Sequence, residues 1–368
     1  MNIYPFKASY PNTDLIASPE SFFDTVSAEF VNFRHSGFFA SHIEKALFIY
    51  RIQGSKTFTG IIASNDIEDI ENKKILGHEN TLTDKEQSML QLMLSRKAMI
   101  KPVLLAYENK IEIDSFIEKY VTNNQPFFDI ELPLNQEQHT IWAVSKPSEI
   151  ERLQDLFKQQ VPTSYIADGH HRASITAKLV RKNYLHDDNI VHPGLLCVFF
   201  PFKELEILDY NRVIDLSGKM SKLNFMAKIS HFVDIKPINK HAKPHKKHQM
   251  TMILDQEWFS LTWKKKLLKS SRNNEVLLDV DLFNNHILKE VVNIKDIKTA
   301  TDVIYVEGVS GLEKMEEKLR KSNDYVGFCL YPVSKDDMIK ISDAGDVLPP
   351  KSTWFEPRIK NGLIIKEF

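Results

Sequence analysis

Apolar positions in the first half of the chain follow two different periods. A helical period runs through residues 21–33, where apolar side chains recur on one face. Short runs of β-branched and aromatic residues at 46–52 and 57–63 predict a strand pair, joined by a hairpin-like connection. The same patterns predict further strands at 101–107, 140–145, 161–167, 194–200 and 205–210, and helices at 84–97, 114–121, 147–159 and 173–180. Strands that alternate with helices and also pair as hairpins predict a mixed-sheet core.

The pattern changes near residue 216, where a lysine-rich stretch begins. Beyond it we predict strands at 250–254, 258–263, 324–330 and 362–366, and helices at 281–292, 311–322 and 335–342. The sequence therefore predicts an α+β or mixed α/β fold with two parts. Residues 1–215 form a core α/β domain, and residues 216–368 form a smaller C-terminal α+β region. A polar loop of that region, residues 343–358, is expected to return to the candidate site in the core.

The candidate site centres on Asp168-Gly-His-His-Arg172, which lies where a predicted strand ends and a predicted helix begins. Such a junction exposes free backbone N–H groups at the positive end of a helix dipole, a combination that suits an anion. Gly169 permits a tight turn or a close approach to a ligand. Arg172 can donate two hydrogen bonds to a phosphate or carboxylate. We therefore assign Asp168, Gly169, His170, His171 and Arg172 to a phosphate-binding turn.

A simpler interpretation of the same stretch has Asp168 as an ordinary helix N-cap and the two histidines as surface residues. That interpretation would suffice for one aspartate or one histidine. Five such residues together at a strand–helix junction favour an anion site instead.

A second motif, Gly77-His-Glu-Asn-Thr81, lies in a predicted polar loop and is followed by Lys85. A loop glutamate flanked by a histidine is a plausible general base if it faces a substrate hydroxyl. We predict Glu79 and His78 as catalytic residues, with Asn80 and Thr81 as substrate-binding residues. The alternative is a solvated glutamate in a polar loop.

A third motif lies in the loop at 343–358, where two prolines restrict the backbone. Lys351, Ser352 and Thr353 follow them and offer one cation and two hydroxyls, a set suited to phosphate. The alternative is a rigid surface turn with solvated charges. We predict that these three residues join the other two motifs in one pocket.

Composition narrows the class of protein. The 368 residues are 42% hydrophobic and 26% charged, which is typical of a globular protein. The formal net charge of −1 argues against nucleic acid as a partner. The N-terminus lacks a signal pattern and no run is long enough to span a membrane, so we expect a cytoplasmic protein that acts on a small molecule. Cys197 and Cys329, each in an apolar run, are expected to be core residues in a reducing compartment.

The run at 240–248 combines lysines with histidines and could be taken for a metal site or a nucleic-acid patch. Its lysines would repel a cation, and no aromatic residues interleave for base stacking. We predict a solvated loop or hairpin tip.

Several enzyme classes lack their motif in this chain. There is no Gly-x-x-x-x-Gly-Lys-Ser/Thr loop, no Gly-x-Gly-x-x-Gly after a strand and no Gly-x-Ser-x-Gly elbow. These absences argue against a P-loop kinase, a nicotinamide enzyme and an α/β-hydrolase. His170 and His171 are adjacent and so point in different directions on a helix, which disfavours a zinc hydrolase.

Taken in order, the three motifs resemble the family catalogued as domain of unknown function 1015. The similarity is seen at 77–81, at 167–172 and at 348–358, with weaker similarity at 101–107, 279–288 and 304–308. The chain departs from that family near residues 17–21, where a Pro-Pro-Tyr-Asp stretch is common. The Asp-Gly-His-x-Arg element is also similar to that of the ParB/sulfiredoxin-like superfamily, in which such a turn binds nucleotide phosphates.

These resemblances imply a kinase that acts on free serine. In that scheme His170, His171 and Arg172 hold the donor phosphates, and Glu79 deprotonates the acceptor hydroxyl. The donor is ATP, ADP or pyrophosphate, and Mg²⁺ neutralises the developing charge. Two other functions fit the same anion pocket: a non-catalytic ParB-like nucleotide-binding regulator and a phosphate-ester hydrolase.

Overall fold

The computed structural model describes residues 1–80, 83–182, 194–239, 241–269, 276–297 and 299–368, and of residues 83–85 it describes the backbone alone. The chain divides into two compact units. The first is Met1–Glu206 together with Pro357–Phe368, and the second is Ile207–Glu356.

The described residues form strands and helices along the whole chain. The strands are β1 Ile3–Tyr4, β2 Ala8–Pro11, β3 Phe39–Ser41, β4 Leu47–Gln53, β5 Thr57–Asn65, β6 Ile75–Leu76, β7 Ala98–Met99, β8 Val103–Tyr107, β9 Phe128–Leu132, β10 Glu137–Val144, β11 Ser164–Asp168, β12 Leu195–Pro201, β13 Glu206–Leu208, β14 Tyr210–Asp215, β15 Val233–Ile238, β16 Gln249–Leu254, β17 Glu257–Trp263, β18 Val303–Glu307, β19 Tyr325–Leu330, β20 Trp354–Glu356 and β21 Ile365–Glu367. The helices are α1 Pro19–His35, α2 Glu68–Glu71, α3 Thr83–Arg96, α4 Ile111–Asn123, α5 Pro147–Gln160, α6 His170–Arg181, α7 Lys222–Ile229, α8 Lys265–Leu268, α9 Asp279–Leu282, α10 Gly311–Leu319 and α11 Lys335–Ala344, with a π-helical stretch at Phe283–Val291. No helix within these ranges has both the length and the apolar character that crossing a bilayer requires.

The first unit is built on a nine-stranded mixed sheet. Eight strands lie in the order β6-β11-β8-β12-β5-β4-β10-β9, and β1 pairs with β5. The pairs β6–β11 and β8–β12 are parallel, and the other pairs are antiparallel. β8 and β12 are buried at every residue, as expected of strands covered on both faces. The mixed α/β fold predicted from the sequence is confirmed.

The predicted hairpin is present as β4 and β5, which pair from Gln53↔Thr57 to Phe48↔Ile62. Helix α1 begins at Pro19, after the N-cap Ser18, and buries Phe22, Phe23, Val26 and Phe30 on one face.

A smaller sheet explains why the last residues belong to the first unit. Strand β21 pairs with β2 and with β7, in a four-stranded sheet of order β3-β2-β21-β7. The second unit is therefore inserted, in chain order, between the two segments of the first.

The second unit contains a six-stranded sheet of order β15-β17-β16-β19-β14-β18, in which every pair is antiparallel. The sequence placed the boundary after residue 215, whereas the observed division falls after Glu206. The difference arises because β14 pairs with β18 and β19 and so belongs to this second sheet.

Residues 241–248 of the lysine- and histidine-rich run lie between β15 and β16, and two of their lysines form ion pairs. Lys243 Nζ lies 2.9 Å from the buried Asp209 Oδ1. Lys247 Nζ contacts both carboxylate oxygens of Asp337, at 2.9 and 2.8 Å. The prediction of a solvated loop or hairpin tip thus stays a prediction, with two of its lysines in ion pairs.

Candidate functional site

The first two motifs meet at one edge of the nine-stranded sheet. Strands β6 and β11 are parallel, with Ile75 opposite Ser164 and Leu76 opposite Tyr165. Because parallel strands end at the same edge, the residues after β6 lie beside those after β11. The sheet therefore brings the His-Glu motif next to the Asp-Gly-His-His-Arg turn, as the sequence predicted for these two motifs.

The turn after β11 requires glycine. Gly169 is the N-cap of α6 and has a φ of 106°, in the left-handed region. A Cβ atom there would lie 2.6 Å from Arg172 Nη2. The first helical bond runs from the Ala173 N–H to the Gly169 carbonyl at 3.0 Å, so the N–H groups of residues 170–172 precede it. The predicted strand–glycine–helix junction is present, and its likeness to the ParB/sulfiredoxin superfamily stays a prediction.

Asp168 is surrounded by three cations. Arg172 Nη2 donates to Asp168 Oδ2 at 2.9 Å, and Lys101 Nζ lies 3.7 Å from the same oxygen. Arg358 Nη1 lies 3.4 Å from Asp168 Oδ1. Burial alone would raise the pKa of Asp168, but the three positive charges outweigh it and hold that pKa below its ordinary value. In the contacts described here, three cations therefore meet this one carboxylate at the turn.

The cations of this cluster are themselves constrained. Burial lowers the pKa of Lys101, and Arg172 and Arg358 lower it further while Asp168 opposes them. Arg172 Nη2 also donates to the Pro102 carbonyl at 3.3 Å, which holds the guanidinium against the start of β8. An anion bound here would relieve the mutual repulsion of the three cations.

His170 links the two motifs. Its Nε2 accepts a hydrogen bond from the His78 backbone N–H at 3.1 Å, so the neutral ring carries its hydrogen on Nδ1. That Nδ1 lies 3.5 Å from Glu79 Oε2. Burial lowers the pKa of His170 to about 4, so the contact at neutral pH is between an uncharged imidazole and a carboxylate rather than an ion pair. The hydrogen bond from the His78 backbone therefore fixes the orientation of the His170 ring, with its Nδ1 toward Glu79.

The residues around His170 show how closely the motifs pack. The His78 ring is 1% exposed and meets the His170 ring edge-on, with 4.6 Å between centroids. Burial, followed by the charge of His170, lowers the pKa of His78 well below its ordinary value. A Cβ atom on Gly77 would lie 3.0 Å from His170 Cδ2, so this approach depends on glycine. The direct catalytic role predicted for His78 stays a prediction.

The remaining residues of the first two motifs differ in exposure. The Glu79 side chain is 38% exposed, and Asn80 is also exposed. His171 is half-buried in the first turn of α6. Thr81 lies outside the described residues. A carboxylate that is open to solvent on one side and beside a fixed imidazole on the other has the access that a general base needs.

Residues 351–353 of the third motif belong to the second unit, and the hydrogen bonds described for them join residues of that unit. The Lys351 carbonyl accepts from Arg212 Nη2 at 2.8 Å, and Lys351 Nζ lies 5.2 Å from the centre of the Tyr210 ring. Ser352 is buried, and its hydroxyl donates to the Pro349 carbonyl at 2.5 Å. Thr353 is half-buried. That these residues share a pocket with the first two motifs stays a prediction.

Three charged residues of these clusters were not predicted as functional. Lys101 lies two residues before β8, the strand that pairs with β11, and Arg358 ends the third motif. Both lie in stretches of family similarity, at 101–107 and 348–358, and that similarity is the signal that could have identified them. Arg358 is held near Asp168 by a segment in which Lys360 Nζ also lies 3.0 Å from Glu137 Oε2. Arg212 is fully buried, and burial lowers its pKa to about 10.

No group of three or more metal-ligating side chains occurs in the described part of the chain. Asp168 and Glu79 are the two carboxylates within the first two motifs, 168–172 and 77–81. Mg²⁺ is commonly held by one or two carboxylates together with substrate phosphates, so a preformed protein cage is not what such an ion requires.

A family model for a protein of unknown function, DUF1015, matches residues 7–283, well over half of the chain. The chain belongs to the DUF1015 family. The resemblance inferred from the three motifs is thereby confirmed for this DUF1015 member. No curated protein matches it in sequence.

Several solved structures share a general likeness with this DUF1015 chain. One is a free serine kinase mutant in complex with ADP, with 12% identity, a TM-score of 0.42, and coverage of 86% of this chain and 94% of that chain. Another is SbnI with a C-terminal truncation, from Staphylococcus aureus, with 10% identity, a TM-score of 0.43 and coverage of 82% and 85%. A conserved hypothetical protein from Pyrococcus furiosus has 14% identity, a TM-score of 0.39 and coverage of 83% and 95%. The fold described above rests on the strand pairing of the chain itself.

Proposed function

We propose that this DUF1015 protein is a small-molecule kinase that transfers a phosphoryl group to a hydroxyl, with free L-serine as the acceptor. The observation that carries the proposal is the excess of positive charge around Asp168, where Lys101, Arg172 and Arg358 meet one carboxylate. Phosphoryl transfer depends mainly on positioning and on clamping negative oxygens with fixed cations. A phosphate donor would supply the negative charge that this cluster lacks.

Glu79 is the proposed general base. It follows β6, which is parallel to β11, and the Nδ1–H of His170, two residues along the chain from Asp168, faces it at 3.5 Å. A base must reach the proton that it removes, and a half-exposed carboxylate next to a fixed donor meets that requirement. The burial of His170 keeps the imidazole neutral, so it orients the carboxylate without neutralising its charge.

The other roles follow the predicted motifs. His170, His171, Arg172 and the first turn of α6 would hold the donor phosphates, with Asn80 and Thr81 near the acceptor. Lys351, Ser352 and Thr353 would hold the transferred group, although the Ser352 hydroxyl hydrogen would first have to leave the Pro349 carbonyl. Mg²⁺ would accompany the phosphates of ATP, ADP or pyrophosphate. The two free, buried cysteines support the further proposal of a reducing, cytoplasmic location.

The substitution Glu79→Gln tests the base. It keeps the shape of the side chain but removes its ability to accept a proton, so turnover should fall by about 10²-fold or more. Binding of ADP and pyrophosphate, measured by calorimetry, should remain. Glu131→Gln, which alters an exposed carboxylate elsewhere in the first unit, is the control. Full activity of Glu79→Gln would remove this residue as the base.

Product analysis tests the reaction class. Wild-type protein with each donor, with and without L-serine, should form phosphoserine only when serine is present. Phosphate release that does not depend on serine would indicate a hydrolase. Donor binding without any product would indicate a nucleotide-binding regulator.

A further inference from the structure

A cavity of about 130 Å³ lies next to the cation cluster, within the first unit. Most of its wall is apolar and comes from α3, β7, β12 and the residues beside them. Two of its lining residues, Lys101 and Arg172, are the same cations that contact Asp168. The cavity and the cation cluster are therefore continuous through these two side chains.

The apolar wall has an unusual composition, since three of its side chains are Met89, Met93 and Met99. The Met99 sulfur accepts from the Leu196 backbone N–H at 3.4 Å, which fixes that side chain. Thioethers make favourable contacts with aromatic rings and adapt to their shape. The wall therefore suits the face of a flat ring.

Size and polarity agree with such a ligand. Engineered apolar cavities of about 150 Å³ bind benzene, so a space near 130 Å³ admits one aromatic ring. Leu92 lines the cavity and is 42% exposed, so the space reaches the protein surface, where a larger base could extend. Asn361 adds a side-chain amide to the lining, which can donate to and accept from the edge of a base.

We propose that this cavity binds the base of a nucleotide whose phosphates lie at Lys101 and Arg172. The inference rests on the proposed function and sharpens it, because it makes the phosphoryl donor a nucleotide rather than pyrophosphate. An inorganic donor could use the cations, but it would leave a ring-sized apolar space beside them unused. A third cation of the lining, Arg96, donates to the Ser27 carbonyl. Charge complementarity at Lys101 and Arg172 therefore sets the direction of the ligand, with its anionic end at the turn and its ring among the methionines.

The variant Leu92→Trp tests this directly, because it fills the cavity from its exposed side without burying a larger residue in the core. Calorimetry should show ADP binding weakened by about tenfold or more, with pyrophosphate binding within twofold of wild type. Ribose 5-phosphate, which has a phosphate and no base, should bind wild type and variant alike. Leu134→Trp, at an 83% exposed leucine of the first unit, is the matched control and should change none of these affinities.

A second variant, Met89→Ala, removes a thioether instead of adding bulk and should weaken ADP several-fold while sparing pyrophosphate. Unchanged ADP affinity in both variants would overturn the cavity proposal, as would an equal loss of ADP and pyrophosphate. If wild-type protein binds neither ligand, the proposed function itself fails, which separates the two failures. Thermal melting of each variant confirms that the compared proteins are folded.

Discussion

The turn at 168–172 in the first unit and the turn at 351–353 in the second make an instructive pair. Both were predicted from the sequence to bind phosphate, and both contain a residue with positive φ, Gly169 at 106° and Lys351 at 58°. At the first turn, the Asp168 carboxylate is contacted by three cationic side chains: Arg172 of the turn itself, and Lys101 and Arg358 from elsewhere in the first unit. In the second, the Lys351 carbonyl and the Ser352 hydroxyl are engaged by Arg212 and by Pro349.

This difference shows why residue types alone do not identify a binding site. Lysine, serine and threonine suit phosphate in a list of side chains. A hydroxyl whose one hydrogen is already donated to a backbone carbonyl, as that of Ser352 is to Pro349, is a structural group first, and its loss affects the turn. An arrangement with an unbalanced charge is more informative, because burial makes such an excess costly unless a ligand compensates it.

The strongest test of the comparison is Arg172→Ala, which should weaken pyrophosphate binding by roughly 3 kcal/mol, or about 10²-fold, because it removes a partly buried charged donor. Arg181→Ala, at an exposed position of the same helix, should leave the affinity unchanged. Calorimetry at fixed ionic strength measures both. An equal or larger loss in Lys351→Ala would reverse the comparison and make the second turn the principal phosphate site.

Gly169→Ala should destabilise the protein by roughly 2–3 kcal/mol, because it imposes both a left-handed backbone and a contact with the Arg172 guanidinium. Gly37→Ala, also at positive φ but with no atom within 4 Å of the added Cβ, should cost only about 1 kcal/mol. Urea denaturation measures the difference. Equal costs would mean that the guanidinium moves aside freely.

His170 should make stability depend on pH. Its pKa is about 4 in the folded protein and near 6.5 when unfolded, so the unfolded chain binds more protons between these values. The free energy of unfolding should therefore fall as the pH is lowered through this window, by about 2 kcal/mol between pH 7 and pH 5. His78 acts in the same direction, so the informative quantity is the difference between wild type and His170→Gln.

In His170→Gln the loss of stability between pH 7 and pH 5 should shrink by about this amount, as judged by denaturation at both pH values. His35→Gln, at an exposed position near the end of α1, should retain the wild-type dependence. An unchanged pH dependence in His170→Gln would show that folding does not lower the pKa of His170.

The smallest effect is expected from Ser352→Ala. It removes the hydrogen bond to the Pro349 carbonyl and should cost about 1 kcal/mol of stability. Phosphate-ligand affinity should stay within twofold, which calorimetry on the same samples can check. Ser260→Ala, in the same unit, is the control for loss of a hydroxyl. A large loss of affinity with normal stability would show that the hydroxyl serves a ligand after all.

Local patterns predicted the parts of the fold that are long and regular. The β4–β5 hairpin and helices α1 and α5 follow from apolar periodicity and from a proline at the helix start. Strand β15 was missed because Pro237 interrupts its pattern and most of its residues are not buried. Strand β20 was missed because the proline-rich stretch before it indicates a loop.

The candidate site likewise has one part that the sequence predicted and one part that it did not. The strand–glycine–helix turn is local, so Gly169 and the helical period after it sufficed to predict it. The convergence of Lys101 and Arg358 on Asp168 depends on pairing between β8 and β11 and on the return of the C-terminal segment. Such long-range contacts produce no periodic pattern in the sequence. Lys101 and Arg358 could therefore be recognised as parts of motifs, but no role could be assigned to either.

The interrupted first unit has a consequence for synthesis on the ribosome. Arg358 and the strand that joins β2 to β7 are translated only after the whole of Ile207–Glu356. A nascent chain that has just emerged through residue 356 thus has two strand edges without their partner, and its Asp168 lacks the Arg358 guanidinium. The second unit can fold meanwhile, since domains generally fold as units during elongation. Premature termination there would release a chain that has the strands of its larger sheet but lacks the cation that Arg358 brings to Asp168.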